Sequence, residues 1–192
     1  MPEGATRIVV LASGTGSTLQ AILDAAGLPD FEGVIVAAGT DVPDCQAMKL
    51  AEQAGVETFA VALADFVDRD ARNVALAKEL AARTPDLVVL AGFMRLLGPA
   101  IVNRFRIVNT HPALLPAFPG AHAVRDALAA GVSTTGVTVH WVDEGVDTGP
   151  VITQAEVPVL PADDEDSLRA RIQAAEKPLF VNAIRQICRE MP

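Results

Sequence analysis

The feature that most restricts the fold of this chain is an alternation. Five short runs rich in Val, Ile and Leu, RIVVLA (Arg7–Ala12), GVIVAA (Gly33–Ala38), VETFAV (Val56–Val61), DLVVLAG (Asp86–Gly92) and RIVNT (Arg106–Thr110), alternate for the most part with segments whose apolar residues recur at helical spacing. Runs so short and so continuously apolar have both faces buried. Strands of that kind, interleaved with helices, form a parallel sheet covered on each side. The spacing therefore predicts helices over Ser17–Ala26, Asp44–Ala54, Asp65–Arg83 and Ala121–Ala130 in a doubly wound architecture.

The pattern continues past the fifth run. TTGVTVHWV (Thr134–Val142) reads as another strand, expected to run parallel to Arg106–Thr110 because a helix joins the two. The turn DEGVDTGP is short enough to return VITQAEVPV antiparallel. A last helix is predicted from about Asp166, with Leu168, Ile172, Ala175, Leu179, Ala183 and Ile187 forming its apolar stripe and Pro178 expected to kink or divide it. The fold class that follows is α/β: a Rossmann-like, mostly parallel twisted sheet with helices on both faces and an antiparallel C-terminal strand. At 192 residues, without a repeat, low-complexity tract or linker, the chain reads as one domain.

Composition removes several functions. A formal net charge of −9 opposes general nucleic-acid binding, which needs a basic footprint. No apolar run approaches the roughly 20 residues of a spanning helix, and MPEGATR lacks the layout of a signal peptide, so a cytoplasmic protein without a membrane partner is expected. Cys45 and Cys188 stand far apart, and His111, His122 and His140 are scattered with no HExxH, so neither a disulfide framework nor a metal site is expected.

Four motifs carry chemistry. In LASGTGSTLQAIL a strand passes through Gly14 and Gly16 into a helix, whose first N–H groups at Gly16, Ser17 and Thr18 could hold a phosphate; a tight turn with a Ser cap is the alternative. It is not a P-loop, and Leu19 replaces the third glycine of a dinucleotide fingerprint. RIVNTHPALLPAFPG delivers Asn109 and His111 to a strand end, an amide that can donate to an oxyanion and an imidazole that can carry a proton, followed by Pro112, Pro116 and Pro119. VHWVDEGVDTGP places Asp143, Glu144 and Asp147 after the next strand, where a carboxylate could orient His111 or merely form a turn; His140 stays unassigned. AGFMRLLGPAIV offers Phe93, Met94, Leu96 and Leu97 as walls for a flat ring, with Arg95 nearby, or simply as core. All four are expected at one edge of one sheet, because ligands of open α/β sheets bind beyond the strand ends.

On these motifs, with the helical QAAEKP, the chain resembles the folate-dependent formyltransferase family, and its glycine loop resembles the glycinamide ribonucleotide branch, over about Arg7 to Arg189. The resemblance implies a single formyltransferase domain over 1–192, with a phosphate-binding half at about 7–105 and a catalytic and folate half at about 106–190. It implies transfer of a formyl group from 10-formyltetrahydrofolate, a co-substrate, to the amine of glycinamide ribonucleotide, without a metal, by a chain that could form a homodimer. Asn109, His111 and Asp147 fall on the catalytic trio. Gly16, Ser17 and Thr18 match the phosphate loop, while Gln173 and Glu176 lie in a segment matching one near the glycinamide. Arg69, Met94, Arg95, Leu96, Leu97, Asn109, Asp143, Glu144 and Asp147 match the folate side. Thr15 and Thr18 depart from frequent asparagines, and Ala117 from a common lysine.

Two other readings use some of the same residues. A formyltetrahydrofolate hydrolase or other folate formyltransferase would share the trio, but would be expected to carry a further domain for which this chain, entering its first strand at Arg7, leaves no room. A Rossmann-like nucleotide-binding module would use Asp41 at the end of the second strand to bind a ribose, and would leave NTHP and VDTGP without a purpose.

Overall fold

The computed structural model describes residues 4–191. Seven strands, β1 (Thr6–Leu11), β2 (Gly33–Thr40), β3 (Glu57–Ala60), β4 (Leu87–Leu90), β5 (Ile107–His111), β6 (Thr134–Trp141) and β7 (Val151–Pro158), form one mostly parallel sheet in the order β3-β2-β1-β4-β5-β6-β7. The helices are α1 (Ser17–Ala26), α2 (Gln46–Gln53), α3 (Arg69–Arg83), α4 (Pro99–Val102), α5 (Ala123–Ala129) and α6 (Glu165–Glu190). Among the described residues no helix is long and apolar enough to cross a membrane. The chain divides into two compact units, one running up to Val108 and resuming at Ile184, the other Asn109–Ala183.

In the first unit β1 pairs in parallel with β2 and β4, and β2 with β3. Ile8, Val9, Val10 and Leu11 are fully buried, as are Leu87, Val88 and Val89, the expected fate of strands with no polar alternation. Leu19 and Ile22 of α1 and Ala47 and Ala51 of α2 are also fully buried, while the polar positions of these helices remain outside. Each such large apolar side chain contributes about 1.5–3 kcal/mol by leaving water.

Two helices bear on what the sequence predicts at Asp65–Arg83 and at Pro178, expected to kink or divide the last helix. The predicted segment Asp65–Arg83 is split: Leu63–Asp65 is a 3-10 turn, and α3 starts only at Arg69 because the Asp68 carboxylate accepts the Ala71 N–H at 2.8 Å as its cap. At the other end of the chain, Pro178 does not divide α6, which runs for 26 residues through it. A proline frees the carbonyl four residues earlier, here that of Ala174. Both Ala174 and Pro178 are exposed, so water can satisfy the freed group.

In the second unit β6 and β7 are antiparallel, with Thr134 opposite Pro158 and a register irregularity between Val139 and His140. Val137 and Val157 on these strands pack with Val124 of α5 and Leu168 and Ile172 of α6. The loop after β5 is tied to the strands by polar side chains: the buried Thr138 hydroxyl donates to Ala113 O at 2.7 Å and accepts the Leu115 N–H at 3.0 Å, and Gln154 Nε2 donates to Leu115 O at 2.9 Å. The Leu115–Pro116 peptide bond is cis.

Candidate active site

Asn109 and His111 lie two residues apart on β5, so strand alternation sends both side chains to the same face. His111 is 4% exposed, and a ring so buried needs partners for its nitrogens. It has two. Nδ1 stands 3.2 Å from Asp147 Oδ2, and Nε2 stands 2.7 Å from the carbonyl oxygen of Phe118. A carboxylate and a carbonyl can only accept, so both contacts are complete when each ring nitrogen carries a proton.

The Asp147 carboxylate is aimed by its backbone. Within the turn joining β6 to β7, Asp143 Oδ1 accepts from Gly145 N at 3.0 Å and from the Thr148 hydroxyl at 2.7 Å. Trp141 N donates to Pro150 O at 2.9 Å and brings the two strand ends together. A Cβ on Gly149 would meet Trp141 O at 1.8 Å, so only glycine permits that closure. Asp147 takes a left-handed conformation, φ 55, which aspartate tolerates better than most residues. Its Oδ2 also accepts the Gly120 N–H at 2.8 Å, which fastens the end of the proline loop.

His140, unassigned in the sequence, joins the same cluster. It is 2% exposed, with Nδ1 at 2.9 Å from Trp141 O and Nε2 at 3.4 Å from Asn109 Nδ2 and 3.6 Å from Asp147 Oδ1. Because the Trp141 carbonyl can only accept, it fixes the proton on Nδ1 of the neutral ring. Nε2 is then an acceptor, and the Asn109 amide presents its NH2 to it. The structure thus brings together Asn109, His111, His140 and Asp147.

The first unit holds the glycine loop and the loop after β4. Gly16, not a serine, is the N-cap of α1, in a left-handed conformation at φ 77. Ser17 is already the first helical residue, which removes the alternative of a Ser-capped turn. A Cβ at Gly16 would lie 2.7 Å from Ala47 Cα, so this glycine also lets α2 approach. After β4, Phe93 is buried, whereas Met94 is 78% and Leu96 57% exposed. Those two are therefore not core, and adjacent exposed apolar side chains are what a ligand-binding wall presents.

Asp41 stands behind that loop. Its side chain is 2% exposed, accepts from the Ser13 hydroxyl at 2.5 Å, and pairs with Arg95 Nε at 2.5 Å. Burial opposes its charge, but the Ser13 and Arg95 bonds outweigh burial and hold its carboxyl below the usual range. Committed in this way, Asp41 has no place as the ribose-binding acid of a dinucleotide module.

The remaining sequence candidates lie on α3, on the loop after β4, on α6 and in the turn after β6. Arg69 is exposed at the start of α3, and Leu97 is half-buried. Gln173 and Glu176 lie three apart on α6, the first exposed and the second half-buried. Glu144 is exposed beside Asp143, whose own carboxylate is spent on the turn. Among the described residues no group of three or more His, Cys, Asp or Glu could hold a metal ion.

Residues 6–184 match the formyl transferase family. A phosphoribosylglycinamide formyltransferase from Mycobacterium tuberculosis is 55% identical over 185 residues, which are 95% of this chain and 85% of the relative. The phosphoribosylglycinamide formyltransferase of Escherichia coli is 43% identical over 175 residues, 90% of this chain and 82% of that one. Among solved structures, glycinamide ribonucleotide transformylase 1 from Symbiobacterium toebii superposes with a TM-score of 0.94 at 44% identity, covering 98% of this chain and 90% of its own. Agreement in sequence and in fold over nearly the full length leads to one conclusion: the chain belongs to the formyl transferase family, in its phosphoribosylglycinamide formyltransferase branch.

Proposed function

We propose that this enzyme passes the formyl group of 10-formyltetrahydrofolate to the amine of glycinamide ribonucleotide by direct attack, with Asn109, His111 and Asp147 as its catalytic groups. The observation that carries the reading is the paired cluster in which Asp147 holds His111 and His140 holds Asn109. The amine nitrogen forms a bond to the formyl carbon, and the carbonyl electron pair moves onto oxygen. The Asn109 amide, and a protonated His111 whose Nε2–H exchanges the Phe118 carbonyl for the substrate oxygen, would stabilise that oxyanion by donated hydrogen bonds. Collapse breaks the bond from carbon to folate N10, which takes up a proton as the attacking nitrogen loses one, and His111 is the group suited to carry it. Asp147 keeps the ring oriented through its bond to Nδ1. His140 acts through Asn109 and serves to position it.

The ribonucleotide phosphate is assigned to Gly16, Ser17 and Thr18, supported by the left-handed Gly16 that opens α1 and by the positive end of the helix dipole. Gln173 and Glu176 are assigned to the glycinamide side. The exposed Met94 and Leu96 support the folate wall, with Arg69, Arg95, Leu97, Asp143 and Glu144 on the same side of the assignment. An amine is its own nucleophile, so the reading includes no metal, and exhaustive chelation is expected to leave turnover unchanged. It also includes a cytoplasmic protein without a nucleic-acid partner, which the net charge of −9 favours, and a homodimer as the partner state.

The deciding experiment follows folate absorbance and formate together, with and without glycinamide ribonucleotide. Rapid deformylation only when the ribonucleotide is present, with the formyl group recovered on the glycinamide nitrogen, is the expected result. Equal rates in its absence, with formate released, would make the protein a hydrolase.

A further inference from the structure

Arg72 lies on α3, outside every group assigned to catalysis, and is 1% exposed. A buried guanidinium is costly unless its five N–H groups and its charge are matched. Here they are matched poorly. Nη2 donates to the carbonyl oxygen of Leu96 at 3.0 Å, while Nε and Nη1 have no hydrogen-bond partner. Asp41 is a carboxylate whose charge favours the cation, yet its oxygens are bonded to Ser13 and Arg95. Burial accordingly holds the Arg72 guanidinium below its usual range despite Asp41.

An apolar side chain of similar volume at this position would avoid that desolvation, and replacing buried charges in this way is often neutral or stabilising. Stability is therefore a poor explanation for an arginine here. What the side chain does hold is the segment 92–98, which has neither helix nor strand before α4 begins at Pro99. Arg72 draws the Leu96 carbonyl inward while the Leu96 side chain remains 57% exposed. Its neighbour Asn73 packs against Gly98, its Nδ2 only 2.6 Å from where a Cβ would stand. Arg95, the residue before Leu96, is drawn to Asp41. The segment is fixed from behind at three successive points, and which way its backbone and side chains face is decided there.

We propose that Arg72 is a positioning residue for the folate-side loop, holding the Leu96 carbonyl so that Met94 to Leu97 present a preformed wall to the donor. This rests on the assignment of that loop to the folate under the proposed function. The test uses the full chain with Arg72→Met, which keeps bulk and loses the donors, and Arg72→Lys, which keeps a charge and a donor. Amide hydrogen exchange over 94–98 is measured without substrates, and Tm, kcat and both KM values are measured with them.

In Arg72→Met the 94–98 amides should exchange faster while Tm holds or rises. KM for 10-formyltetrahydrofolate should rise about tenfold, as for loss of a charge-assisted hydrogen bond, with kcat and the KM for the ribonucleotide within about twofold. Arg72→Lys should fall between wild type and Arg72→Met, and it decides the matter alone if the methionine variant does not fold. Unchanged exchange with unchanged KM values, or a parallel loss of kcat, both KM values and Tm, would overturn the proposal. If exchange rises while wild type itself shows no turnover with the folate, the pin stands and the assignment of the loop to the folate fails. A folate KM that does not move despite faster exchange, in an enzyme that does turn over, removes Arg72 from positioning the donor.

Discussion

Asp147 reaches His111 from a left-handed backbone: φ is 55 at the aspartate, and its Oδ2 stands 3.2 Å from the imidazole Nδ1. Conformation and charge can therefore be separated by substitution. Asp147→Asn keeps a residue that tolerates this φ and removes the charge, so turnover should fall by about 10²–10⁴-fold with Tm nearly unchanged. Asp147→Val adds β-branched strain to the same loss, and its Tm should fall as well. Calorimetry beside steady-state rates checks the pair, and equal Tm values for the two variants would contradict the backbone argument.

The phosphate assignment is best tested away from Gly16, because a Cβ there would lie 2.7 Å from Ala47 Cα and disturb the contact with α2 whatever the ligand does. Ser17 is exposed at the first position of α1. Ser17→Asp puts a negative charge where the helix dipole welcomes one, so Tm should hold or rise slightly. The same charge repels a bound phosphate, and the KM for glycinamide ribonucleotide should rise at least about tenfold while the folate KM stays within about twofold. Equal shifts in both constants would detach the loop from the phosphate.

Acid should weaken the first unit through Asp41. Burial raises its carboxyl, but the Ser13 and Arg95 bonds outweigh that and leave it lowered in the folded protein. An unfolded aspartate titrates at about 4. Between the lowered folded value and that one, the unfolded chain binds more protons, so stability is present above about pH 4 and is lost as pH falls through the folded value. Urea unfolding of wild type and Asp41→Asn from pH 6 downward should show a difference that shrinks with acidification. A difference independent of pH would contradict the linkage.

Much of this was legible in the sequence because it depends on local rules. Strands buried on both faces show as unbroken apolar runs, as in Ile8–Leu11 and Leu87–Leu90. Asn109 and His111 were visible because a strand has no structural use for them at its end. His140 was not, since a histidine within a buried strand reads equally well as packing, and only its neighbours Asn109 and Asp147 show its use. The end of the apolar alternation hid the start of α3 as well, although Asp68 carries a recognisable cap signal. Arg72 was beyond reach for a tertiary reason: an arginine within a helix reads as solvated surface, and only the packing of α3 against the segment 92–98 makes it a buried donor. Asp41 was legible as a candidate ribose acid but not as the partner of Ser13 and Arg95, which are distant in sequence.

If His111 and Asp147 act as one unit, as proposed, a double-substitution cycle shows it. His111→Ala, Asp147→Asn and the double variant are compared with wild type in kcat at saturating concentrations of both substrates, after each is shown to be folded. Each single change should cost about 10²–10⁴-fold, and the double variant should cost little more than the worse single, because groups that work together are not lost twice. A double variant whose loss equals the product of the two single losses, or single variants that keep near-normal turnover, would contradict it.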